Sequence, residues 1–164
     1  MTDNLKALTA RYTGWPVILD SNLLLLRWCG ALDVRLLKTF KRVSDFDITD
    51  IYLLEEVLSR FGAIETTPHV LTEVSNLANA LPSWKRAAWA KSLIEQISPI
   101  KEIWESASII LQDHSLAQFG LTDAAIGRLA KTHMVVTIDW RLSNFLVANG
   151  LAAINFRSIR MAFQ

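Results

Sequence analysis

Met134-Val135-Val136-Thr137-Ile138-Asp139 and Pro16-Val17-Ile18-Leu19-Asp20 are short runs, apolar nearly throughout, and each ends on an aspartate. A strand with one wet face alternates polar and apolar residues. An almost unbroken apolar run is how a strand covered on both faces of a parallel sheet reads. Two further runs follow glycines: Ala63 to Thr66 after Gly62, and Leu151 to Phe156 after Gly150. In open parallel sheets, ligands bind where the loops leave the carboxyl ends of the strands, the edge on which Asp20 and Asp139 stand.

Working outward, the segments between these runs carry helical spacing. Ile51, Leu54, Leu58 and Phe61 recur at helix intervals, with Glu55, Glu56 and Ser59 turned outward. Thr67-Pro68 reads as an N-cap followed by proline at the first helical position, opening a helix to about Ala80. Pro82 punctuates it. Ser83 to Ile97 predicts a further helix with Trp84, Ala87, Ala88, Ile94 and Ile97 inward. Another is predicted from about Ile103 to Phe119, stopping at Gly120, and Thr122 then caps a short one from Asp123 to Lys131. Strands alternating with helices define an α/β sandwich with a mainly parallel sheet. With no repeat, low-complexity stretch or linker, residues 1–164 read as a single domain.

The composition bounds the chemistry. Fifty-one per cent apolar and 20% charged residues, with a mean hydropathy of +0.25, describe a folded chain rather than a disordered one. A lone cysteine, Cys29, excludes an internal disulfide, and the scattered His69, His114 and His133 form no zinc spacing. A cytoplasmic, reducing location is expected. The longest apolar patch, Leu23 to Leu26, falls far short of the roughly 20 residues a membrane span needs. The polar stretch from Met1 to Tyr12 lacks the apolar run of a signal peptide. A net charge of +1 makes any attraction for phosphate a local matter.

Four acids remain. Asp20 and Asp139 end buried strands, Asp123 opens a helix, and Glu73 lies within the helix that Pro68 starts. Each has an ordinary reading: a cap or turn for the strand-end aspartates, dipole complementation for Asp123, a solvated face for Glu73. Taken in order, Leu19-Asp20-Ser21-Asn22, Leu71-Thr72-Glu73-Val74, Gly120-Leu121-Thr122-Asp123-Ala124-Ala125-Ile126 and Val136-Thr137-Ile138-Asp139 resemble the PIN-domain nuclease family, which includes the toxin ribonucleases of toxin–antitoxin modules. The likeness spans about residues 17–156.

That resemblance implies a three-layer α/β/α sandwich. It also implies a metal-dependent endoribonuclease that hydrolyses RNA through an activated water, leaving 5′-phosphate and 3′-hydroxyl ends. In this scheme Asp20 and Asp139 are the central metal ligands, Glu73 and Asp123 complete the set, and Asn22 and Thr137 support it. Gathered carboxylates repel by about 4 kcal/mol per pair at 4 Å and an effective dielectric of 20, so they call for a cation. Oxygen donors without imidazole or thiolate select Mg²⁺ or Mn²⁺. The partners to expect are RNA, an antitoxin protein and a second copy of the chain. A structure-specific DNA nuclease and a non-catalytic interaction module are the alternatives. A halo-acid phosphatase is disfavoured because Asn22 stands where its second aspartate belongs.

Other residues have bland readings beside sharper ones. Asp113-His114 and His69 read as helix surface. Trp15, Trp28 and Trp140 flank the acidic strand ends and read as packing, with base stacking the alternative. Two basic groups, Arg35, Lys38, Lys41 and Arg42, then Lys85, Arg86 and Lys91, are either solvated faces or a guide for the substrate backbone. The stretch from Trp28 to Gly62 is longer than in the compact toxins and reads as an added helical element, a clamp or docking surface. Ser143 and Asn144, after Asp139, are further candidates for a hydrogen bond in the site.

Overall fold

The computed structural model describes residues 3–163, with side chains from residue 7 onward. Met1, Thr2 and Gln164, which the expected 1–164 domain includes, lie outside them. Five strands, β1 (Val17–Leu19), β2 (Ile64–Thr66), β3 (Lys101–Glu102), β4 (Met134–Thr137) and β5 (Ala153–Asn155), pair in the order β3-β2-β1-β4-β5. Every pair is parallel, with Val17 between Ile64 and Met134, and Leu19 beside Val136. The fold is α/β, an all-parallel central sheet flanked by helices. The two founding runs are its middle strands, and every residue of β1 and β4 is buried.

The helices are α1 (Asp3–Arg11), α2 (Ser21–Leu32), α3 (Leu36–Thr39), α4 (Ile48–Leu58), α5 (Pro68–Ala78), α6 (Ser83–Ile97), α7 (Ala107–Ile110), α8 (His114–Ala117), α9 (Leu121–Leu129), α10 (Trp140–Ala148) and α11 (Phe156–Phe163). The start of α5 follows its sequence signal: the Thr67 hydroxyl accepts from the Val70 N–H at 3.3 Å, and Pro68 opens the helix.

Three expectations are corrected. The helix expected from Ile103 to Phe119 is two short ones, α7 and α8. Ile103 instead extends the sheet, its N–H donating to Thr66 at 2.8 Å, and the Asp113 carboxylate caps α8 by accepting from the Leu116 N–H at 3.3 Å. Side chains that bond their own backbone interrupt a helix in this way. Thr122 does not cap α9. Gly120 does, at φ 94°, a left-handed conformation that glycine adopts without strain. The third concerns α6, whose limits are as expected but whose face is turned. Trp84 is 70% and Ile94 69% exposed, Ala87 and Ala88 are exposed, and Ile97 is half-buried.

The inward face of α6 is Lys85, Trp89 and Leu93. Lys85 forms an ion pair with Asp33, and Trp89 meets buried Trp28 edge-on at 6.3 Å. A lysine whose ammonium is paired can lay its apolar stem inward, and hydropathy alone does not anticipate that. The segment from Trp28 to Gly62, read as an added helical element, carries α3 and α4 and also supplies core. Leu36, Leu37, Phe40, Val43, Leu54 and Val57 belong to the same buried apolar cluster as β1 and β4. Asp50 of α4 pairs with Arg160 of α11 at 2.8 Å. No helix among the described residues is long and apolar enough to cross a membrane.

Candidate functional site

From β1 the sheet grows one way to β2 and β3, and from β4 the other way to β5. The strand order therefore reverses between β1 and β4, and a crevice opens at their carboxyl ends, the preferred place for a ligand in such sheets. Asp20 leaves β1 there and Asp139 follows β4 by two residues. Both are also N-caps, of α2 and α10 respectively. The capping reading of both is therefore met.

The two aspartates share a support. One oxygen of Asp20, Oδ1, accepts from the Leu23 N–H at 2.8 Å. The other, Oδ2, accepts from the Thr137 hydroxyl at 2.6 Å and the Ile138 N–H at 2.7 Å. The same Thr137 oxygen accepts from the Asp139 N–H at 2.9 Å. Fully buried Thr137 thus ties one strand-end acid to the backbone of the other. Asp139 Oδ1 accepts from the Arg141 and Leu142 N–H groups at 2.6 and 3.0 Å. Burial holds the Asp20 carboxyl above its ordinary range despite the bonds from Thr137, Leu23, Ile138 and the Asn22 backbone.

Asp123 lies in the first turn of α9 and Glu73 in α5, which packs against both α2 and α9. The Asp123 carboxyl is pushed up to about 7, first by burial and then by the charges of Asp20, Asp139 and Glu73. The four acids therefore share one field, although they lie 20, 73, 123 and 139 along the chain. No hydrogen bond reaches the Asp123 or Glu73 carboxylate among the described residues. Among those residues, too, no three acid, histidine or cysteine side chains close to metal-holding distance. The carboxylates are coupled through space without touching, as like charges at close range dictate.

The donor set fits a hard divalent cation. It is carboxylate oxygen only, with open oxygens on Asp123 and Glu73, and its mutual repulsion is what a cation relieves.

The supporting residues divide. Thr137 bonds as described, whereas Asn22 lends Asp20 only its backbone N–H. Ser143 makes no hydrogen bond to the acids, donating to the Trp140 carbonyl at 3.2 Å and accepting from the Asn155 amide at 3.0 Å. Asp113 is a cap. Trp28 is core and Trp15 packs edge-on to Tyr12 at 4.9 Å, whereas Trp140, next to Asp139, is 44% exposed. In the basic groups, Arg35 and Lys85 are both spent on Asp33, while Lys38, Lys41, Arg42 and Lys91 are exposed. Two hydroxyls that drew no notice in the sequence are buried without a protein partner among the described residues: Ser21, which follows Asp20, and Thr66, at the end of β2. A serine after a capping aspartate and a threonine in a strand are too common to have signalled this.

Compared with known proteins, the chain matches no family model, no curated protein and no solved structure.

Proposed function

We propose that this chain is a PIN-type endoribonuclease in which Asp20, Glu73, Asp123 and Asp139 hold Mg²⁺ or Mn²⁺ against a scissile phosphodiester of RNA. The observation that carries the reading is geometric: Asp20 and Asp139 leave the carboxyl ends of paired strands and are tied together by Thr137, and the charges of Asp20, Asp139 and Glu73 reach Asp123 on α9. Acids this far apart in sequence, collected at the switch point of a parallel sheet, gain nothing for stability by their proximity. When bound, the ion supplies a positive centre for the phosphate and makes a neighbouring water more acidic. Thr137 fixes the Asp20 carboxylate and the Asp139 backbone in one frame. Asp123 and Glu73, free of hydrogen bonds among the described residues, retain the lone pairs that ligation uses. The N-termini of α2, α9 and α10 point their partial positive charge at the same acids and soften their repulsion.

The test is cleavage, and the choice of variant matters. Asp20→Asn would bring an amide against two donors, Thr137 and the Ile138 N–H, and is expected to cost about 1–3 kcal/mol in stability. Asp139→Asn keeps a good N-cap for α10 and removes the charge with little loss of stability. The wild-type chain is expected to cut single-stranded RNA with Mg²⁺ or Mn²⁺, to stop with EDTA, and to leave flapped DNA intact. Asp139→Asn should lower the rate about a hundredfold or more while melting within a few degrees of wild type. Undiminished cutting by a clean preparation of Asp139→Asn would remove the reading.

A further inference from the structure

A hollow of about 180 Å³ opens beside the acids at the same edge of the sheet, where β2 and β3 end. It is smaller than a typical pocket for a drug-sized ligand and has room for one flat ring system. Ile110 and Ala125, both buried, form an apolar floor, and the indole of Trp104 stands at the rim, 77% exposed. Polar groups line one side. Arg128 and Glu105 form a two-pronged pair at 2.7 and 2.6 Å, leaving Arg128 Nη1 without a protein partner among the described residues. His69 joins them, its imidazole making no hydrogen bond among the described residues. His69 stands one turn before Glu73 on α5, so the two share a helix face and the hollow adjoins the acidic crevice.

We propose that this hollow receives the base of a nucleotide adjoining the scissile bond and so sets a base preference for cutting, an inference that rests on the nuclease reading above. A nucleobase has apolar faces and an edge carrying donors and acceptors. The apolar floor and indole meet the faces, while His69, Arg128 and Glu105 offer the edge both kinds of partner.

The measurement is the ¹H–¹⁵N spectrum of the six indoles, with the Trp104 peak assigned by its loss in Trp104→Phe. The probes are the four nucleoside 5′-monophosphates and ribose 5-phosphate. One monophosphate should shift the Trp104 peak saturably and more tightly than the others, ribose 5-phosphate should not, and His69→Ala should weaken the binding about tenfold. In cleavage mapping on degenerate single-stranded RNA, Trp104→Ala, a surface change, should flatten the base preference next to the cut. A Trp104 peak that no monophosphate moves overturns the proposal, as does one moved equally by ribose 5-phosphate or unaltered by His69→Ala. If RNA is cut but the peak stays still, the hollow loses its role and the nuclease stands. If the peak responds and no RNA is cut, the base site stands and the nuclease falls.

Discussion

At the residue scale, Thr137 shows how one hydroxyl can organise a site. It donates to Asp20 and accepts from the Asp139 N–H, so both its capacities are used between the two strand-end acids. Thr137→Val removes both bonds while keeping the strand's branched side chain. It should cost about 1–3 kcal/mol in stability and slow cleavage about 10- to 100-fold, whereas Thr137→Ser should restore most of the rate. Melting curves and rates measured together decide this, because a purely structural threonine would leave the rate of the folded fraction unchanged. Asp123 makes a different prediction, about pH. Its carboxyl is raised from 3.8 to about 7 on folding. Below pH 3.8 folded and unfolded chains both hold the proton. Between there and about 7 the unfolded chain releases it first, so this group's contribution to stability falls as the pH climbs through that window. Above about 7 both forms are ionised and the full penalty stands. In EDTA, Asp123→Asn should therefore stabilise the protein at pH 8 by about 2 kcal/mol, discounted for partial solvent access. It should have little effect near pH 4. Thermal melts of both proteins across this range would show the difference growing with pH, and a constant difference would contradict the assignment.

At the element scale, legibility tracked how local the signal was. The middle strands were plain in the sequence because strands buried on both faces must be apolar nearly throughout, and α5 was plain because Thr67-Pro68 is a complete cap in two residues. The edge strand β3 was not. Lys101-Glu102 contains no apolar residue and is a strand only because β2 lies beside it. The facing of α6 failed for a related reason. Its apolar residues spread around the helix, and the inward arc is decided by the Lys85–Asp33 ion pair and the Trp89–Trp28 contact, both remote in sequence. That assignment is testable: Trp89→Ala should destabilise by about 3–5 kcal/mol, and Trp84→Ala by less than about 0.5 kcal/mol. Denaturant melts giving the reverse order would restore the face that hydropathy favours.

At the scale of the whole molecule, the sheet converts sequence distance into proximity. Strands β1 and β4 are separated by more than a hundred residues yet lie side by side, so two caps that look ordinary become neighbours across the point where the strand order reverses. That convergence could be read from the sequence only as a pattern of four acids, because no spacing along the chain states which helices will pack together. The segment from Trp28 to Gly62 illustrates the same limit. Its length reads as an added helical element, and its part in the core is not legible there, because its leucines and phenylalanines have partners that periodicity does not name. The proposed function requires Asp20, Glu73, Asp123 and Asp139 to enclose a cation. The most direct measurement is an anomalous-difference map from crystals grown with Mn²⁺. A manganese peak is expected at the carboxyl ends of β1 and β4, within ligand distance, about 2.0–2.6 Å, of oxygens from at least two of these carboxylates. No peak there at millimolar Mn²⁺, with the four carboxylates well ordered, would contradict it.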